Sequence, residues 1–266
     1  MKSINVNGIR LNVLDEGSGL PLVFVHGFPM SHAMWAAQTS ALCDRFRVIA
    51  PDLRGFGDSP DESDVVTMEQ LADDLAAMLE QLGISEPVVL CGLSMGGYVA
   101  WQFVRKYPDK LRGLVLCDTR AVADSADGVA HRLRLAQMVL EKGADVVAST
   151  MLPNVFATAT PQTQPAVVES LRRVIMSSSP RAIAAALRGM AERPDVRSWL
   201  PQITLPTLLI VGVEDKISTV SEMREIAAAL PYATLVEIAN AGHLAPLENP
   251  TATNRALRDF LETLRP

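Results

Sequence analysis

Pro87-Val88-Val89-Leu90-Cys91 runs straight into Gly92-Leu93-Ser94-Met95-Gly96-Gly97, and this stretch constrains the fold more tightly than any other. Its first five residues read as a short buried β-strand, and Tyr98 to Val104 as a buried helix ended by Tyr107-Pro108. Between them lies a G-x-S-x-G turn. A serine at the apex of so sharp a strand-to-helix bend takes a strained backbone. Small residues two before and two after it let the chain double back without a Cβ clash. Such a bend holds the hydroxyl above the sheet, beside a helix end that offers a free N–H and partial positive charge.

A nucleophilic serine in this setting predicts an acid and then a histidine later in the chain. Histidine is scarce here, with only His26, His32, His131 and His243. His243 follows the strand-like Ala233 to Ile238 on a loop, Asn240-Ala241-Gly242, where sheet-based active sites collect. Asp215 stands in the matching place one strand earlier, after Thr207 to Gly212. His26 belongs to a loop start, His32 to a helix start and His131 to an Arg-rich helix, so loop architecture and solvated surface are expected of them.

With these blocks in hand, the chain resembles α/β-hydrolases of the carboxylesterase type, in the branch that also holds enol-lactonases and cofactor-free haloperoxidase-like enzymes. The likeness covers nearly the whole chain. It rests on Val25-His26-Gly27-Phe28-Pro29, Asp52 to Ser59, Gly92 to Gly97, Gly212-Val213-Glu214-Asp215 and Ala241-Gly242-His243. The order Ser94, Asp215, His243 is that family's order and differs from the common serine-protease orders. The resemblance implies Ser94 as nucleophile, His243 as base and Asp215 as its orienting acid. It further implies an oxyanion hole built from the backbone N–H groups of Phe28 and Met95. Asp118, after the strand Leu111 to Cys117, is a rival acid, since some hydrolases of this fold carry theirs there; the Gly212 to Asp215 block favours Asp215. Arg54 and Asp58 are expected to hold loops together.

Strand and helix patterns alternate after an opening hairpin, Ile4 to Val6 and Arg10 to Leu14 around Asn7-Gly8, which implies a mostly parallel sheet flanked by helices. Thr67-Met68-Glu69-Gln70 is a capping-box pattern opening a helix that runs towards Leu82-Gly83. The alternation stops after the sixth strand. Residues 1–120 and 200–266 are expected to form the α/β-hydrolase core, and 121–199 an inserted helical cap over the serine. Met138, Met151, Met176 and Met190 could line an apolar pocket there, or pack cap helices on the core. Arg132, Arg134, Arg172, Arg173, Arg181 and Arg188 could meet a carboxylate, or form a solvated face.

A net charge of −6 argues against nucleic acid or an anionic membrane as the main partner. Residues 1–20 hold no signal segment and no apolar run reaches the roughly 20 residues a bilayer needs, so a cytoplasmic address is the default. Cys43, Cys91 and Cys117 cannot make a disulfide framework, and Cys91 and Cys117 read as buried thiols. No metal cluster or phosphate loop is visible, and no cofactor is expected. The expected partner is a small ester or lactone; a homo-oligomer is left open. The reading is a serine hydrolase of short to medium carboxylic esters. Its rivals are an enol-lactonase or lactonase, a haloperoxidase-like perhydrolase with the same triad, and a non-catalytic ligand sensor.

Overall fold

The computed structural model describes residues 1–264; positions 265 and 266 of the expected core segment lie outside it. Eight strands form one sheet: β1 (Lys2–Val6), β2 (Ile9–Glu16), β3 (Pro21–Val25), β4 (Arg47–Pro51), β5 (Val88–Leu93), β6 (Leu111–Cys117), β7 (Thr207–Gly212) and β8 (Ala233–Ile238). Their order is β1-β2-β4-β3-β5-β6-β7-β8, so β3 and β5 lie at the centre. β1 pairs β2, and β2 pairs β4, antiparallel; the pairs from β4 through β8 are parallel. The opening hairpin turns at Asn7 and Gly8 with φ of 44° and 79°, the left-handed pair that a tight two-residue hairpin demands.

Helices flank the sheet and roof one end of it: α1 (Ala36–Leu42), α2 (Met68–Gln81), α3 (Met95–Lys106), α4 (Ala126–Lys142), α5 (Asp145–Val155), α6 (Thr160–Thr163), α7 (Pro165–Ser177), α8 (Pro180–Ala191), α9 (Val220–Ala229), α10 (Ala245–Glu248) and α11 (Pro250–Thr263). Covered on two sides, β3, β5 and β7 carry unbroken apolar runs and are buried at every residue. Phe24 stacks on Trp35 with ring centroids 4.5 Å apart, packing β3 against the segment that leads into α1. The α2 helix opens at Thr67, whose hydroxyl accepts from the Gln70 N–H at 3.0 Å. A two-armed capping box instead opens α9, between Thr219 and Glu222.

The helical insertion follows the sixth strand. Helices α4 to α8 run between β6 and β7 and close over the carboxyl ends of the central strands. The parallel arrangement puts the loops after β3, β5, β6, β7 and β8 at that one end of the sheet, beneath this roof.

Candidate active site

Ser94 is the turn between β5 and α3, with φ 53° and ψ −111°, a conformation L residues rarely adopt. The flanking glycines are required by crowding: a Cβ on Gly92 would drive into the Gly96 carbonyl oxygen, and one on Gly96 into the Val25 carbonyl. The bend is held by the end of β6 and the residues just after it. Ser94 donates its N–H to the Cys117 carbonyl at 2.9 Å, and the Thr119 hydroxyl donates to the Ser94 carbonyl at 2.8 Å.

Three of the expected residues meet. Ser94 Oγ lies 2.8 Å from His243 Nε2, and His243 Nδ1 lies 2.9 Å from Asp215 Oδ2. Asp215 is itself fixed by N–H donors from Ile217 and Ser218, at 2.7 and 3.1 Å, on its other oxygen. Burial alone would depress the His243 pKa, but the charge and hydrogen bond of Asp215, aided by Asp118 and Glu248, raise it above its ordinary 6.5. Burial pushes Asp215 up, and the His243 charge with hydrogen bonds from His243, Ser218 and Ile217 brings it net below the usual carboxylate value. Met95 is the first residue of α3 and Phe28 sits in the loop after β3; among the described residues neither N–H donates to a protein acceptor.

Asp118 is brought near but bonds elsewhere. Fully buried with φ 45°, it accepts from the Gly212 N–H at 2.8 Å and the Ala245 N–H at 3.2 Å. It thus ties the ends of the two loops that carry Asp215 and His243. Burial, then the Asp215 charge, lift its pKa to about 8.

The other histidines divide. His26 is buried and architectural: its Nε2 accepts the Leu53 N–H at 2.9 Å, and burial lowers its pKa to about 4. His32 is not solvated as expected, because its Nδ1 lies 2.6 Å from the buried carboxylate of Asp52. His131 is exposed, yet it lines the cavity over Ser94. Arg54 ties its loop to α2, gripping Asp74 through Nε and Nη2 at 2.8 Å each, and reaches Asp61 in the following loop at 3.3 Å. Asp58 contributes through its main chain, donating its N–H to Asp52 at 3.0 Å.

Sequence reasoning missed Ser218 and Glu248. The Ser218 hydroxyl donates to Asp215 Oδ2 at 2.7 Å and lies 3.1 Å from His243 Nδ1. Glu248 accepts from Gly242, Ala157 and the Thr160 hydroxyl, bridging the His243 loop and the roof. Neither stands in a motif; both are a few residues downstream of one, Ser218 three after Asp215 and Glu248 five after His243, and that proximity was the available signal.

A cavity of about 440 Å³ opens on Ser94 and His243. Of the four roof methionines, Met151 and Met190 line it, while Met138 and Met176 are exposed. Of the arginines, Arg132 reaches it, and its charge is already paired: Asp124 bonds Arg132 at 2.5 Å and Arg193 at 2.7 Å. No cluster of metal-ligating side chains occurs among the described residues, and no described helix is long and apolar enough to cross a membrane.

Residues 21–250 match the model of a family described as alpha/beta hydrolase fold. Over the full length of both chains, the protein is 45% identical to a thermophilic esterase from Thermogutta terrifontis solved with malate bound, with a TM-score of 0.98. Its identity to an enol-lactonase from Burkholderia xenovorans LB400 is 29%, over 98% of this chain and 100% of the other, with a TM-score of 0.91. The 3-oxoadipate enol-lactonase 2 of Acinetobacter baylyi is 29% identical across 91% of this chain and 88% of its own length.

Proposed function

Because the chain belongs to the alpha/beta hydrolase fold family, we propose that it hydrolyses carboxylic esters of short to medium acyl chains through an acyl-enzyme on Ser94. The observation that carries this is the continuous link from Ser94 through His243 to Asp215, at 2.8 and 2.9 Å, at the floor of a cavity. Ser94 Oγ attacks the ester carbonyl carbon as His243 Nε2 takes its proton. The oxyanion is received by the Phe28 and Met95 N–H groups. On collapse, His243 returns the proton to the leaving alcohol oxygen and the acyl group stays on Ser94. Water then attacks that acyl carbon, giving its proton to His243, and the acid leaves as Ser94 regains a proton. Asp215 holds the imidazole in orientation and supports its cationic form. No cofactor enters.

The preference for modest neutral acyl groups draws on the cavity. Its volume of about 440 Å³ sits low in the ~300–1,000 Å³ range of ligand pockets. Its half-buried Arg132 guanidinium is already engaged by Asp124, so a substrate carboxylate would have to compete with that ion pair. A lactone offers the same carbonyl to Ser94, and the enol-lactonase relatives make a carboxylate-bearing enol-lactone the competing substrate.

The deciding experiment is a panel of p-nitrophenyl esters and carboxylate-bearing lactones run on wild type and Ser94→Ala. A loss on the order of a millionfold in kcat is expected for the variant, by analogy with removal of a protease nucleophile. A serine-directed phosphonate should label Ser94 alone. Retained activity in Ser94→Ala ends the acyl-enzyme reading. A carboxylate-bearing lactone turned over a hundredfold faster than butyrate ends the ester preference.

A further inference from the structure

The roof meets the His243 loop along one short seam, residues 155–164 above and 242–248 below. His243 donates its own main-chain N–H to the Val155 carbonyl at 2.9 Å. Gly242 lies so close that a Cβ there would come within 2.6 Å of the Phe156 carbonyl carbon and 2.7 Å of the Ala157 nitrogen. Glu248, with 4% of its surface exposed, stitches the seam. One carboxylate oxygen accepts the Gly242 N–H at 2.7 Å; the other accepts the Ala157 N–H at 2.8 Å and the Thr160 hydroxyl at 2.6 Å. Its main-chain carbonyl takes a fourth bond from Gln164 Nε2 at 3.0 Å.

This arrangement exceeds what packing needs. A buried carboxylate is costly to desolvate, and here it is satisfied by three uncharged donors drawn from both sides of the seam. Its roof-side partners begin two residues after α5, and α5 contributes Thr150, Met151 and Asn154 to the cavity wall. An acyl group resting on α5 therefore bears on the segment that fixes the histidine.

We propose that Glu248 is a positioning residue that locks the His243 loop to the underside of the roof, so that a filled acyl pocket sets the imidazole over Ser94. The proposal rests on the ester-hydrolysis reading above. Binding energy from the acyl chain is then spent on kcat and not only on KM.

Two variants of the full chain test it, with active sites counted by a phosphonate. In Glu248→Gln the amide must turn its NH2 towards either Gly242 or Ala157, so one N–H loses its acceptor. Thr160→Val keeps the carboxylate and removes a single roof-side donor. Wild-type kcat should rise from acetate to butyrate esters, and both variants should lose most of that rise while KM still falls with chain length. For butyrate, kcat per titrated site should drop about tenfold or more in Glu248→Gln and about two- to fivefold in Thr160→Val. The acid limb of kcat/KM should move to lower pH in Glu248→Gln only. That variant removes one of the three carboxylates that favour the His243 cation, and it leaves Asp215, Asp118 and the cavity-lining Lys216, His131 and Arg132 in place.

Hydrogen exchange supplies a readout independent of turnover: Thr160→Val, a roof-side change, should speed exchange at the Gly242 and His243 amides. Unchanged kcat per site with an intact acetate-to-butyrate rise overturns the proposal, as does faster exchange confined to the roof. Should Glu248→Gln fail to fold, Thr160→Val carries the same test. Wild-type rates that match those of Ser94→Ala would instead sink the esterase reading, and the exchange result would still decide whether the seam acts as one piece.

Discussion

Asp118 in the floor of the site and Asp124 in its roof are buried or nearly buried carboxylates a few residues apart in sequence, yet their surroundings satisfy them in opposite ways. Asp118 is held by main-chain N–H groups of Gly212 and Ala245, and burial beside Asp215 lifts its pKa to about 8. Asp124, less deeply buried, is also desolvated, but the guanidiniums of Arg193 and Arg132 outweigh this and bring its pKa to about 2. The floor organises its carboxyl groups largely with backbone N–H donors and leaves the charge of Asp215 free to act on His243. The roof pairs charge with charge, one carboxylate shared between two guanidiniums. Chemistry and selectivity thus occupy two electrostatic regimes around one cavity.

The largest effect expected from this contrast lies in the floor. Asp215→Asn keeps the shape and strips the charge that supports the imidazolium, so kcat should fall on the order of ten-thousandfold, by analogy with a protease triad. Asp118→Asn should cost far less in kcat, since its bonds go to loop ends and not to the imidazole. The reverse ranking in steady-state assays would make Asp118 the acting acid. Second in size is the oxyanion donor. Phe28→Pro deletes an N–H that no side chain replaces, with an expected loss of about a hundred- to a thousandfold in kcat. Phe28→Ala keeps the donor and should be much milder; equal, mild effects would remove Phe28 from that role.

Those floor residues were legible in the sequence for a physical reason. Ser94, Gly92 and Gly96 occupy a bend that few residue types tolerate, so the conformation writes itself into a local pattern. Asp215 follows the buried strand β7 and His243 the half-exposed edge strand β8, and strand ends in a parallel sheet converge at one edge. Ser218 and Glu248 had no such signature, because a hydroxyl or carboxylate aimed at a distant backbone group demands nothing special of its own backbone. The roof was legible only as helix. Met151 and Met138 differ in fate, one lining the cavity and one 39% exposed, through packing between helices distant in sequence. Arg132 could not be told from Arg134 before Asp124 was seen beside it.

The two carboxylates should also give stability opposite slopes with pH. A carboxylate whose folded pKa is raised binds protons more tightly when folded, so its contribution to stability declines as pH rises from about 4 towards 8. One whose folded pKa is lowered adds stability above its ordinary 3.8, lost as pH falls towards about 2. Thermal melts of Asp118→Asn against wild type should therefore show the variant gaining relative stability between pH 5 and pH 8, a shift of a few degrees in Tm. A constant gap across that window would mean that Asp118 is ionised throughout and that the N–H bonds from Gly212 and Ala245 outweigh its burial.

The smallest effect should come from the roof arginine. Arg132 lines the cavity, but its Nε is engaged by Asp124 at 2.5 Å, and Arg193 holds the same carboxylate at 2.7 Å. A neutral acyl group asks nothing of that charge, so Arg132→Met should change kcat/KM for a butyrate ester by less than about threefold. The Asp124–Arg193 pair remains in the variant. Asp124→Asn is the sharper probe, because it releases Arg132 to face a substrate anion. The ratio of rates for a succinate half-ester over butyrate should rise about tenfold, and adding Arg132→Met should erase that gain. If instead wild type already favours the half-ester, and Arg132→Met alone abolishes that preference, the roof is not neutral towards substrate. Arg132 would then be a carboxylate receptor that Asp124 merely steadies.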